Sequence, residues 1–170
     1  MIRLLAVAAS AVVMLGASAV ASADPTDSDA ATYAIGKCYD PGTPPVERPA
    51  SFAYNCDNTG VMRDMTWSAW GADGANGTGT DSSVECKPNC AQGATLTNPI
   101  VVHAWNPVAA PAAACPPNVK FYTDMTIAYP NGAPPWISPG TTWSAGTDFV
   151  TVDGMPAVHY SELTPTCAPL

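Results

Sequence analysis

Positively charged side chains are scarce in this sequence. Six Lys and Arg stand against fourteen Asp and Glu in 170 residues, which gives a net charge of −8 at neutral pH. A chain this acidic repels the phosphates of nucleic acids and the headgroups of anionic lipids. The composition therefore predicts no nucleic-acid partner.

No apolar run is long enough to span a membrane. The longest, Leu4–Leu15, has about twelve residues, whereas a hydrocarbon core needs about twenty. The run follows the basic start Met1–Arg3 and precedes Ala21–Ala23, which has the small-x-small pattern that signal peptidase accepts. We therefore expect residues 1–23 to be a signal peptide and the protein to be secreted, either extracellular or associated with the cell envelope. The mature chain would have no transmembrane segment.

Helix-favouring Lys, Glu and Gln are also rare, while the chain has 18 prolines and 13 glycines. The mature part, residues 24–170, has the length of a single domain, and we expect residues 24–36 to be a disordered N-terminal segment. Five segments show the period-two or β-rich character of strands: Ser51–Cys56, Val61–Trp70, Ile100–Trp105, Val119–Tyr129 and Phe149–Val152. In Val119–Tyr129, alternate residues would face the core and water. The sequence therefore predicts a mainly β domain, an antiparallel β-sandwich or a small barrel with Pro/Gly-rich loops.

All six cysteines lie beyond the expected signal peptide, and exported thiols normally form disulfides. Fifteen pairings are possible in principle. Cys86 and Cys90 enclose Pro88 in a short loop, and pairing them leaves Cys38–Cys56 and Cys115–Cys167 as the nearest remaining bridges. The three-residue gap is not the spacing of a thioredoxin-type pair, and two histidines are too few for a convincing zinc site. We therefore predict three disulfides and no metal.

A distinctive segment occupies the middle of the chain. Met65–Thr80 contains a W-S-x-W-G sequence and a G-x-G turn, and Cys86–Gly93 contains C-x-P-x-C-A-x-G. This succession, with Arg48-Pro49 and Cys56 upstream, resembles a family of secreted actinobacterial proteins, mycobacterial ones included, across about residues 38–105. Most members of that family are exported proteins of unknown function, so the resemblance implies export and assigns no catalytic residue.

Within this segment, Trp67 shares a strand face with Met65, which predicts a core position, and Trp70 falls on the opposite face. The glycines that follow are typical of a tight turn or hairpin. An alternative is a calcium site near Asp73, Asn76 and Asp81, because residues 76–84 resemble one turn of a calcium-binding β-roll. Only one copy is present, whereas such sites share ligands between stacked turns. No cofactor is therefore predicted.

Recognisable catalytic motifs are missing as well: the sequence has no G-x-S-x-G, no H-E-x-x-H and no phosphate-binding loop. A small extracellular hydrolase remains the alternative, using carboxylates and either His103 or His159, and the catalytic residues stay unassigned. Four tryptophans are candidates for stacking on sugars or packing on a partner: Trp70, Trp105, Trp136 and Trp143. We therefore predict a binding or envelope-associated structural module whose partner is a cell-envelope glycan or a protein.

Overall fold

The computed structural model describes residues 31–110, 113–165 and 167. This part of the chain contains strands and no helix. In chain order the strands are β1 (Thr32–Ile35), β2 (Phe52–Ala53), β3 (Gly60–Gly71), β4 (Gly74–Val84), β5 (Thr95–Ala109), β6 (Val119–Ala128), β7 (Thr141–Ser144), β8 (Thr147–Val152) and β9 (Met155–Tyr160). They form one sheet curled into a half-barrel. The mainly β, antiparallel fold predicted from the sequence is confirmed, with one curled sheet in place of two stacked ones.

The strand order across the sheet is β2-β3-β4-β5-β6-β9-β8-β7, and neighbours in this order are antiparallel. Strand β6 has β5 on one side. Along its other side it pairs first with β1, which runs parallel to it, and then with β9. The sheet ends at β2 and at β7 and remains open between them. None of the described segments forms a helix with the length and apolar character needed to cross a membrane.

Strand β1 corrects the prediction of a disordered segment at residues 24–36. Thr32–Ile35 pairs with the first half of β6, from Thr32 opposite Val119 to Ile35 opposite Tyr122. Ala34 and Ile35 are buried, so the ordering of this strand removes apolar surface from water. The prediction is therefore wrong for residues 31–36. Residues 24–30 and the expected signal peptide lie outside the described residues.

The glycine-rich segment forms a hairpin, as predicted, but most of it is strand rather than turn. Gly71 and Gly74 have positive φ at the β3–β4 turn, where a side chain would be strained. Gly77 and Gly79 lie inside β4 and have a different role. A Cβ on Gly77 would be 2.7 Å from the Trp67 ring, and one on Gly79 would collide with the Met65 side chain. These glycines let large β3 side chains lie across β4.

Strand β3 places its two tryptophans together, which contradicts the predicted placement of Trp70 on the opposite face. The β3–β4 register shifts between Trp67 and Ala69, and a bulge of this kind interrupts the alternation of side chains. The two indole rings are 4.7 Å apart between centroids, and both are partly buried against the main core. Their N–H groups donate to the carbonyls of Pro49 and Tyr33 at 3.0 and 2.9 Å.

Strand β6 also departs from the predicted division into a core face and a solvent face. Val119 and Phe121 belong to a small second cluster, whereas Met125 joins the main core. Tyr122 is fully buried as well. Its hydroxyl donates to the Gly71 carbonyl at 3.0 Å and accepts from the Gly71 N–H at 2.9 Å. The strand therefore supplies apolar side chains to both clusters and holds the β3–β4 turn in place.

Three disulfides join segments outside the strands, in the pairing that the sequence predicts: Cys38–Cys56, Cys86–Cys90 and Cys115–Cys167. The first ties the segment after β1 to the segment after β2, and the second closes a loop between β4 and β5. Cys115 and Cys167 are buried in the second cluster, so the longest bridge fastens the end of the described chain to the loop before β6.

Candidate functional site

A pocket of about 390 Å³ opens from the main core at the open side of the half-barrel. Six aromatic side chains line it, among polar and aliphatic ones: Tyr54, Tyr129, Trp136, Trp143, Phe149 and Tyr160. Pockets that bind small molecules commonly measure about 300–1,000 Å³ and combine an apolar wall with a few polar groups. In size and lining this pocket therefore fits a small organic ligand.

The proline-rich loop between β6 and β7 forms one wall of this pocket. Ile137 is buried, and Trp136 packs against the core beside it. The Ile137 N–H donates to the Pro134 carbonyl at 3.0 Å, which turns the loop back toward the sheet. Trp136 and Ile137 thus cover an end of the core. Trp143 on β7 forms part of the rim and is 67% exposed, with its ring 5.9 Å from that of Phe149.

Behind the pocket floor lies a completely buried carboxylate, that of Asp81. Three hydroxyls donate to it: Tyr54 at 2.6 Å, Ser83 at 2.8 Å and Tyr129 at 3.2 Å. A buried charge needs such donors, because its transfer out of water is otherwise very costly. Tyr54, Ser83 and Tyr129 line the pocket, whereas Asp81 does not. The three donors therefore separate the carboxylate from the cavity.

Burial sets the direction of the pKa changes in this cluster. It raises the pKa of the Asp81 carboxyl, against the opposing effect of the three hydrogen bonds. It also raises the pKa of the Tyr54 and Tyr129 hydroxyls far above the usual range, and the nearby Asp81 charge adds to that change. The two phenols therefore keep their protons at any physiological pH and serve as permanent donors to Asp81.

At the mouth of the pocket lies Lys37, two residues after the end of β1. Its Nζ lies 4.6 Å from the centroid of the Tyr160 ring, a cation–π contact. The side chain is partly buried, and burial lowers the pKa of its ammonium group. A second pocket-lining lysine, Lys87, forms an ion pair with Glu85 at 3.2 Å and is largely exposed.

The opposite face of the sheet carries a row of polar and aromatic side chains. His103, Thr126 and His159 are in register on β5, β6 and β9. The Trp105 ring stacks between the two imidazoles, at 5.0 Å from His103 and 5.4 Å from His159. Thr126 is only 7% exposed, as expected for a small side chain beside three rings.

Both histidines have polar partners on this outer face. His103 Nδ1 lies 2.8 Å from Asn76 Oδ1, and His159 Nε2 lies 3.1 Å from Asp124 Oδ1. The Asp124 carboxylate also accepts from Thr123 at 2.7 Å. Among the described residues, no serine or threonine hydroxyl is hydrogen-bonded to His159. Asp124 therefore orients the His159 ring through this contact.

The structure thus separates the residues singled out from the sequence. Trp136 and Trp143 line the pocket, Trp105 lies on the outer face, and Trp70 packs against the core, where its ring contacts Trp67 and Tyr122.

The three residues suggested for calcium are likewise spread out. Asp73 is exposed in the β3–β4 turn, Asn76 contacts His103 on the outer face, and Asp81 is buried on the inner face. No single site brings these three side chains together. Within the described residues, no group of three or more His, Cys, Asp or Glu side chains is placed to hold a metal ion.

Two features of the pocket were not predicted from the sequence, Lys37 and the Asp81 cluster. Of the hydroxyls around Asp81, that of Ser83 lies 2 residues away on the same strand, β4. Those of Tyr54 and Tyr129, at the ends of β2 and β6, lie 27 and 48 residues away in the sequence. Only the strand order brings Tyr54 and Tyr129 to Asp81. Comparisons of the chain with protein-family models, with curated proteins and with solved structures gave no match. The geometry of the described residues is therefore the basis for a functional assignment.

Proposed function

We propose that this protein is a secreted binding module that holds a small, mostly apolar organic ligand in the pocket of the half-barrel. The observation that carries the proposal is the aromatic lining of a 390 Å³ cavity that continues the main core. Binding there would bury apolar surface of the ligand, with a gain of about 25 cal/mol per Å² before the cost of association. The ligand would thus fill a space between packed rings.

Two side chains in or behind this pocket, Cys86 and Asp81, are unsuited to catalysis. Cys86 lines the cavity but is bonded to Cys90, so its sulfur is not a thiolate. Asp81 is enclosed by three donors, which stabilise its charge and occupy its oxygens. We therefore favour reversible binding over catalysis at this site.

The alternative of a small hydrolase rests on the His159–Asp124 pair, in which a carboxylate orients an imidazole. That pair lies on the outer face, because its neighbours on β9, Val158 and Tyr160, point into the core. The His159 ring is also stacked on Trp105. The binding proposal is preferred because the pocket and the pair are on opposite faces of the sheet.

Export is part of the proposal. The basic start, the apolar run and the Ala21–Ala23 site support a cleaved signal peptide. Three disulfides within one domain fit an oxidising compartment outside the cytoplasm. We therefore propose that the ligand is met outside the cell or at the cell envelope.

Binding of a neutral apolar fluorophore, N-phenyl-1-naphthylamine, tests the pocket directly. We expect its emission to increase on titration with the protein, and Trp136→Ala to weaken binding about tenfold, because the change removes a wall ring. Trp105→Ala is the matched control, since it removes the same side chain from the outer face. Equal weakening by the two changes, or no binding to the wild type, would contradict the proposed site.

A further inference from the structure

We propose that the ligand of this pocket is an organic anion, and that Lys37 binds its carboxylate, sulfate or phosphate group at the mouth. This inference rests on the proposed function and specifies the chemistry of the ligand. It would be an amphipathic molecule with a ring or alkyl body inside the cavity and one acidic group at the entrance.

Lys37 has the position that such a role requires. It lines the pocket and is held against its wall, with Nζ 4.6 Å from the centroid of the Tyr160 ring. Among the described residues, no carboxylate lies within 4.0 Å of this ammonium. The lowered pKa indicates that burial has already removed part of its hydration. An incoming anion would restore the lost stabilisation of the charge.

Lys37 is one of few cationic side chains in this acidic protein. The whole chain has only six Lys and Arg, and the other pocket lysine, Lys87, is 80% exposed and paired with Glu85. Lys37 is therefore the pocket cation that lacks a carboxylate partner among the described residues. It adjoins Cys38, whose bridge to Cys56 constrains the backbone at this point, and the contact with Tyr160 positions the ammonium before a ligand arrives.

The floor of the pocket gives the ligand its orientation. The hydroxyl hydrogens of Tyr54, Ser83 and Tyr129 are all donated to Asp81, so they are not available to an acidic group of the ligand. The buried Asp81 charge would also repel an anion placed deep in the cavity. Both effects direct the anionic end to Lys37 and the apolar end toward Phe149 and the core.

A pair of isosteric probes tests this inference by isothermal titration calorimetry. We expect 2-naphthoate to bind the wild type about tenfold more tightly than neutral 2-naphthamide, because a hydrogen bond between two charged groups is stronger than one to a neutral amide. Lys37→Met should remove this preference and leave the affinity for the amide unchanged. The matched control Lys120→Met, at an exposed position of β6, should keep the preference.

The outcomes separate the two proposals. If both probes bind the wild type equally, or if Lys37→Met retains the preference for naphthoate, the anion inference is wrong and the apolar pocket stands. If neither probe binds, the proposed function itself is wrong. Should Lys37→Met fail to fold, Lys37→Arg and the ionic-strength dependence of naphthoate binding to the wild type replace it. The inference is supported if Lys37→Arg still prefers naphthoate to naphthamide and if high salt weakens naphthoate binding. It is overturned if neither is observed.

Discussion

Replacement of Asp81 by alanine is expected to lower the free energy of unfolding by about 3–5 kcal/mol, because three buried hydroxyls lose their shared acceptor. Each unpaired buried donor costs about 1–3 kcal/mol, partly offset by removal of a buried charge. Urea denaturation followed by tryptophan fluorescence measures the change. The matched control is Asp73→Ala, which alters an exposed aspartate in the β3–β4 turn and should change stability by less than about 0.5 kcal/mol.

Protonation of Asp81 also makes the stability of the folded protein depend on pH. Its pKa is raised in the folded protein, so the folded state binds this proton more readily than the unfolded chain does. The contribution of Asp81 to stability therefore increases as pH falls through the folded-state pKa, and it levels off below the unfolded value of about 3.9. Asp81→Asn should abolish this contribution while retaining an acceptor for the hydroxyls. If the wild type loses stability relative to Asp81→Asn as the pH is lowered, the assignment is wrong.

Loss of the longest disulfide should be the second large effect. Cys115→Ala combined with Cys167→Ala opens a loop with a sequence separation of 52 residues, and chain-entropy reasoning gives about 4 kcal/mol for a loop of that length. Both cysteines are buried in the second cluster, so the change also removes packing around Phe121. We expect a fall of about 4 kcal/mol in the free energy of unfolding.

The short bridge supplies the control for that experiment. Cys86 and Cys90 are separated by only four positions, and the same reasoning gives about 2 kcal/mol for so small a ring. Replacement of both by alanine should therefore destabilise the protein about half as much. If the short bridge proves the more important of the two, loop entropy does not govern the stability of this domain.

The sequence predicted the parts of the fold that local patterns determine. Strand β3 and strand β6 have dense apolar and β-branched residues, and their bounds lie within one residue of the predicted segments. Strand β4 was missed because glycine normally weakens a strand. Here Gly77 and Gly79 make room for Trp67 and Met65, a packing requirement that exists only once two strands are side by side.

The candidate site was less accessible to sequence reasoning. Of the four suggested tryptophans, Trp136 and Trp143 reach the pocket, since the proline-rich loop and β7 stand at its open side. Trp70 was assigned to the wrong face because the bulge in β3 has no clear sequence pattern. Lys37 and Asp81 acquire their surroundings from strands far apart in the chain, which the curl of the sheet brings together.

We propose that the pocket of the half-barrel, rather than the histidine-bearing outer face, binds the ligand. Amide chemical-shift mapping by NMR with saturating 2-naphthoate distinguishes these two faces. We expect the largest shifts at Lys37, Trp136 and Phe149, with His103 and His159 unaffected. Shifts concentrated around Trp105 and the two histidines would contradict it.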